Sequence, residues 1–127
     1  MEEQLRALLR SDAGVTAICG QRVNFGEHPQ GQDFPALVLN TISQTNGHTL
    51  QGPDGLEKAR VQVDCIALTY GEARRLSRAV VALLDGHRGG QFSGVFSAGN
   101  RAGREGGSNE ADRPFRVSLD FLTKWRP

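Results

Sequence analysis

Residues 61–86 read VQVDCIALTYGEARRLSRAVVALLDG. The first half alternates. Val61, Val63, Cys65 and Ala67 fall on one side, with Gln62 and Asp64 on the other, as in a strand with one buried face. The second half changes period. Ala73, Leu76, Val80, Leu83 and Leu84 recur at helical spacing, and Asp85-Gly86 supplies a stop. A strand that turns directly into a helix can hold a catalytic group or cradle a phosphate. This joint has one glycine, no Gly-Lys-Ser/Thr, and a glutamate at the helix start that would repel phosphate. It reads as an ordinary helix start, with Glu72 favourable to the helix dipole.

Working outward, Leu5, Leu8 and Leu9 share one helical face in residues 2–10. Ser11 or Asp12 can cap a second short helix that carries Val15 and Ile18 and stops at Gly20. Arg22 to Phe25 is a short extended piece, and the stretch up to Phe34 reads as loop. Residues 36–44 form a strand with Leu37, Leu39 and Thr41 on one face and Val38, Asn40 and Ile42 on the other. Asn46-Gly47, Gly52-Pro53 and Asp54-Gly55 are turn pairs, so residues 45–57 read as a long loop between two antiparallel strands. A weak, glycine-limited strand follows near 91–99, then a glycine-rich loop over 97–112. Residues 115–121 alternate Phe115, Val117, Leu119 and Phe121 against polar positions, giving a closing strand. The fold class is α+β: one domain over 1–127, with an antiparallel sheet of about four strands and helices packed on one face.

Composition narrows the function. The chain has 127 residues, 16 of them glycine, with 38% hydrophobic residues and a formal charge of +1. A near-neutral balance argues against broad nucleic-acid binding, which rests on a basic excess. The basic residues are 13 Arg and 2 Lys, a bias that suits protein interfaces and that a GC-rich genome would also produce. No apolar run reaches the roughly 20 residues of a membrane helix. The acidic, amphipathic start lacks a signal peptide's apolar centre, so a cytoplasmic site of synthesis is expected. Cys19 and Cys65 are isolated and read as buried free thiols. His28, His48 and His87 are scattered over loops with no metal-ligand spacing. No Gly-x-Ser-x-Gly and no Cys/His arrangement is present, and the carboxylates suggest no acid–base pair. The expectation is no enzyme, no cofactor and no metal.

The remaining candidates are interface residues. Arg74, Arg75 and Arg78 lie off the apolar stripe of the main helix and form a solvated face, a protein contact or, third, a phosphate contact. Asn46, Gly47, His48 and Asp54 sit in the first long loop, and Arg101 and Arg104 in the second. Either loop is disordered or orders against a partner.

In order and spacing the chain resembles a known family. The carrying segments are the helical LRALLRSDAGVTAICGQRV, the proline-led strand FPALVLNTIS, the strand–helix segment RVQVDCIALTYGEARRLSRAVVALLDG, and a closing strand RVSLDFLTKW that ends in an aromatic. It is similar to the small tail-completion proteins of long-tailed bacteriophages. These are also termed tail terminators or head–tail joining proteins, with relatives in phage-like gene transfer agents. The resemblance implies an α+β fold and a homo-oligomeric ring, typically a hexamer. The ring caps the head-proximal end of the tail tube, stops polymerisation and docks to the head connector. The implied partners are further copies of the chain, the tail tube protein and the connector or adaptor. DNA would pass through the ring without specific binding, and the location would be a virion or phage-like particle assembled in the bacterial cytoplasm. No catalytic residue comes with the family. Two alternatives remain: another tail or neck component, such as a tube protein or head-side adaptor, or a small ligand-binding α+β domain.

Overall fold

The computed structural model describes residues 1–27, 33–49, 52–104 and 114–126. The elements run α1 (Glu2–Ser11), α2 (Ala13–Cys19), β1 (Val23–Phe25), β2 (Ala36–Thr49), β3 (Gly52–Ala67), α3 (Tyr70–Leu84), β4 (Phe92–Arg104) and β5 (Phe115–Trp125). One five-stranded sheet has the order β1-β2-β3-β5-β4. The α+β class and the one-sided helix layer agree with the sequence reading, with one strand more than expected. The extra strand is β1, whose three residues pair parallel to Leu37–Leu39. Every other pairing is antiparallel.

Register explains the core. Val61 faces Phe121, Val63 faces Leu119 and Cys65 faces Val117, so the alternating residues of β3 and β5 share a face. That face meets Leu5 and Leu9 of α1, Val15 and Cys19 of α2, and Ala73, Leu76, Val80 and Leu84 of α3, all buried in one cluster. Burying each of the Leu and Val side chains contributes about 1.5–3 kcal/mol.

Local chemistry sets the helix ends. The Asp12 carboxylate accepts from the Val15 amide at 3.0 Å and starts α2. The Thr69 hydroxyl accepts from the Glu72 amide at 3.2 Å, an N-cap that starts α3 two residues before Glu72, and donates to the Glu72 carboxylate at 3.3 Å. Glu72 is thus engaged in capping, which fits the ordinary reading of the strand–helix joint. Gly86, at φ 80°, donates to the Val95 carbonyl at 2.7 Å and turns the chain into β4; that backbone angle favours glycine.

Two loop expectations are corrected. Residues 45–49 and 52–57 are strand, paired Thr45 to Lys58, Asn46 to Glu57, His48 to Pro53 and Thr49 to Gly52. The irregularity between Asn46 and His48 takes up the Asn46-Gly47 and Asp54-Gly55 pairs, while Gly52 and Pro53 pair with Thr49 and His48. Pro53 lies beyond Glu57, the last β3 residue paired with β5, so its missing N–H is tolerated on that open side. The expected loop over 97–112 is strand as far as Arg104, paired to Phe115 across β5. A bulge between Ser97 and Gly99 accommodates the glycine at φ 137°. Ladder bonds to a distant strand outweigh weak local propensity, and residue-by-residue reading misses them. The rest of that expected loop, 105–112, lies outside the described residues.

Candidate functional site

The face of the sheet opposite the helices holds the densest polar chemistry in the fold. Asp120 is 5% exposed, and its Oδ2 sits 3.2 Å from Nη2 of Arg60 and 3.2 Å from Nη1 of Arg101. Asp64 is 1% exposed; its Oδ2 lies 3.3 Å from Nη1 of Arg116 and its Oδ1 accepts from Gln62 at 2.9 Å. Arg101 also donates to the Gln62 side-chain amide oxygen Oε1 at 3.4 Å, joining the two halves. The register creates this network: Gln62 opposes Asp120, and Ser118 lies between Asp64 and Arg101. The carboxylates lie at the base and the guanidinium groups extend over them toward solvent. Each buried negative charge is therefore compensated where it stands.

Beside the network runs an exposed apolar row. Leu122 pairs with Arg60 on one side and Phe96 on the other. A bulge places both Ile42 and Ser43 opposite Arg60. Ile42, Leu122 and Phe96 are large side chains left exposed. Phe96 lies across Gly94, where a Cβ would come within 2.8 Å of its ring, and the Lys124 ammonium stands 6.0 Å from the ring centre.

A second surface lies on the helix side. Arg74 donates from Nε to the Tyr70 hydroxyl at 2.7 Å, and its guanidinium carbon lies 5.2 Å from the centre of the Tyr70 ring, within cation–π range. Tyr70 in turn meets Phe115 edge-on at 5.9 Å. Arg75 and Arg78 are exposed. Arg74, Ser77, Arg78, Val81 and Ala82 of α3 line an open groove of about 370 Å³ whose far wall is Asn100 and Leu119.

The sequence candidates thus separate. Arg74 and Arg78 come together on the α3 groove, with Arg75 next to them. Arg101 belongs to the Asp120 network instead. Arg104 ends β4, and Asn46, Gly47, His48 and Asp54 lie on the far part of the β2–β3 ribbon. Sequence reasoning missed Arg60, Gln62, Asp64, Arg116 and Asp120 as a set. Their signal was present: the polar positions of β3 and β5 carry opposite charges at spacing two, but only the register shows which meet.

The two thiols are free and buried. Desolvation pushes both above the ordinary thiol range, and the nearby Asp64 carboxylate raises Cys65 further. Thiols held neutral in this way are poor nucleophiles and metal ligands. Among the described residues, no three of His, Cys, Asp and Glu stand close enough to hold a metal. No described helix is long and apolar enough to cross a membrane.

No curated protein matches the chain. Among solved structures, a chain from the virion of a native gene transfer agent particle superposes with a TM-score of 0.72 at 20% identity, covering 97% of this chain and 92% of that one. At that identity the likeness speaks for the fold. The family model described as tail completion protein gp17 matches residues 3–125, nearly the full length. The chain belongs to the tail completion protein gp17 family and is a structural protein of a phage or phage-like tail.

Proposed function

We propose that the protein assembles as a ring on the head-proximal end of the tail tube, ends tube growth and joins the tail to the head connector. The family match over residues 3–125 carries this reading. The surfaces support it. A ring subunit needs different patches for its two neighbours, and this chain has an open sheet face, a basic helix groove and a projecting ribbon in three places. The ribbon beyond Glu57 has lost β5 as a neighbour, so it extends from the domain as two strands and suits contact with the tube or the lumen. In this reading the chain works by binding and catalyses nothing.

Deleting the gene in the native particle producer and imaging the products by electron microscopy tests the proposal. Overlong or unjoined tails beside filled heads are expected. Heads without any tails would assign the chain to the tube or an earlier step, and intact particles would overturn the reading. Removing residues 46–55 should leave a folded domain that fails to complete tails. Normal tails from that variant would refute the ribbon's role.

A further inference from the structure

We infer that the groove between α3 and β4 is a receptor for an extended acidic segment of another protein of the particle, which adds as a strand to the free edge of β4. This rests on the tail-component reading above and specifies one of its contacts. The first observation is where β4 is already protected. Its outer side is tied down early: Val95 exchanges hydrogen bonds with Gly86 and His87, and the Ser97 amide donates to the Asp85 carboxylate at 2.9 Å. From residue 98 to Arg104 the strand pairs with β5 on one side, and no other described strand pairs with its outer side. A run of strand edge left open next to a capped run is a template for strand addition.

The second observation is the groove along that open run. Asn100 of β4 forms its wall and Leu119 of β5 its floor, with α3 opposite. A strand added outside β4 would send alternate side chains into this space. Arg74 and Arg78 await them there. They lie one helical turn apart, about 6 Å along the axis. Alternate residues of a strand are about 6.7 Å apart, so acidic residues at positions i and i+2 match the two guanidinium groups. Arg74 is already oriented: its Nε is bonded to the Tyr70 hydroxyl and its guanidinium carbon is held 5.2 Å from the centre of that ring. Its two Nη groups are presented as a fork for a carboxylate, with less side-chain entropy to lose on binding. Val81, Ala82 and Leu119 make the lining partly apolar, which suits a peptide better than a phosphate backbone. The formal charge of +1 also argues against a nucleic-acid partner.

Two measurements on the full chain test this. The first titrates the isotope-labelled protein, by NMR, with the hexapeptide acetyl-Thr-Glu-Val-Glu-Val-Thr-amide, the Lys-for-Glu version and a short duplex DNA. Shifts at residues 98–104 and along α3 with the acidic peptide alone are expected. Arg74→Glu with Arg78→Glu should weaken that binding about tenfold or more and admit the lysine peptide. Arg78→Glu alone, at an exposed site that leaves the Tyr70 contact intact, should weaken it by a smaller factor. Equal binding of both peptides, or stronger binding of the DNA, overturns the proposal. The second places a photo-crosslinking residue at Asn100 in the particle producer and identifies the product by mass spectrometry. A cross-link to an acid-x-acid segment of a different particle protein is expected. A cross-link to Glu110-Ala111-Asp112 of this chain, or no cross-link in completed particles, overturns it. Either failure leaves the tail-completion reading standing, because that reading is decided by the gene deletion: it fails if particles remain intact or if heads carry no tails at all.

Discussion

The two faces of the one sheet do opposite things with the same alternating pattern. On the helix side, β3 and β5 present Val61, Val63, Phe121 and Leu119 to a dry core. On the other side the same strands present Arg60, Gln62, Asp64, Arg116 and Asp120, with Leu122 exposed among them. The first face has its partner within the chain. The second satisfies its own charges and still exposes a row of large apolar side chains, an arrangement that costs little in the free protein and is available to a neighbour. Stability is therefore expected to reside on one face and assembly on the other.

Substitutions can break that division, beginning with the largest effect. Phe121→Ala removes the largest fully buried side chain and should cost about 3–5 kcal/mol in chemical denaturation; a loss below about 1 kcal/mol would show that the helix face is loosely packed. Asp120→Asn weakens two ion pairs on the open face. Arg60 and Arg101 have side chains 42% and 63% exposed and can rehydrate, so the loss should be about 1 kcal/mol and should shrink at high salt. A loss as large as that of Phe121→Ala would make the network a second core. Phe96→Ser and Leu122→Ser should change stability by less than about 0.5 kcal/mol while lowering the yield of completed particles; unchanged yield would remove the apolar row from assembly.

A separate test of the helix face is in pH. Both thiols have folded values raised above their unfolded ones by burial. Their contribution is fully present below the unfolded thiol value near pH 8.5 and is lost as pH rises above it. Thermal unfolding between about pH 8.5 and 10.5 should decline more steeply in the native chain than in Cys65→Ala; equal slopes would show that the thiol is not held neutral by burial. A thiol-reactive dye should likewise leave both cysteines unmodified until the protein unfolds.

Much of the helix face was legible from residue order. Its signals are local, the period-two and period-3.6 patterns of residues 61–86, and they produced the strand, the helix and most of the buried set, although Leu83 is only partly buried and Ser77 and Asp64 are buried without having been expected to be. The caps at Asp12 and Gly86 were legible for the same reason. The candidate surfaces were legible only in part. Arg74, Arg75 and Arg78 were found because helical spacing separates them from the apolar stripe. Arg101 was found for a loop it does not occupy.

The sequence by itself thus determined the α+β class, the one-sided core and the tail-completion resemblance, because periodicity, capping chemistry and segment order are properties of neighbours along the chain. Only the tertiary structure decided that residues 45–49, 52–57 and 97–104 are strand, since their hydrogen-bond partners lie in other segments and outweigh glycine-rich local preference. It alone decided that Asp120 joins Arg60 to Arg101, 60 and 19 residues away, and that Arg74 and Arg78 stand across a groove from the open edge of β4. Contacts of that range are fixed by sheet register, and register is set by the packing of the whole core.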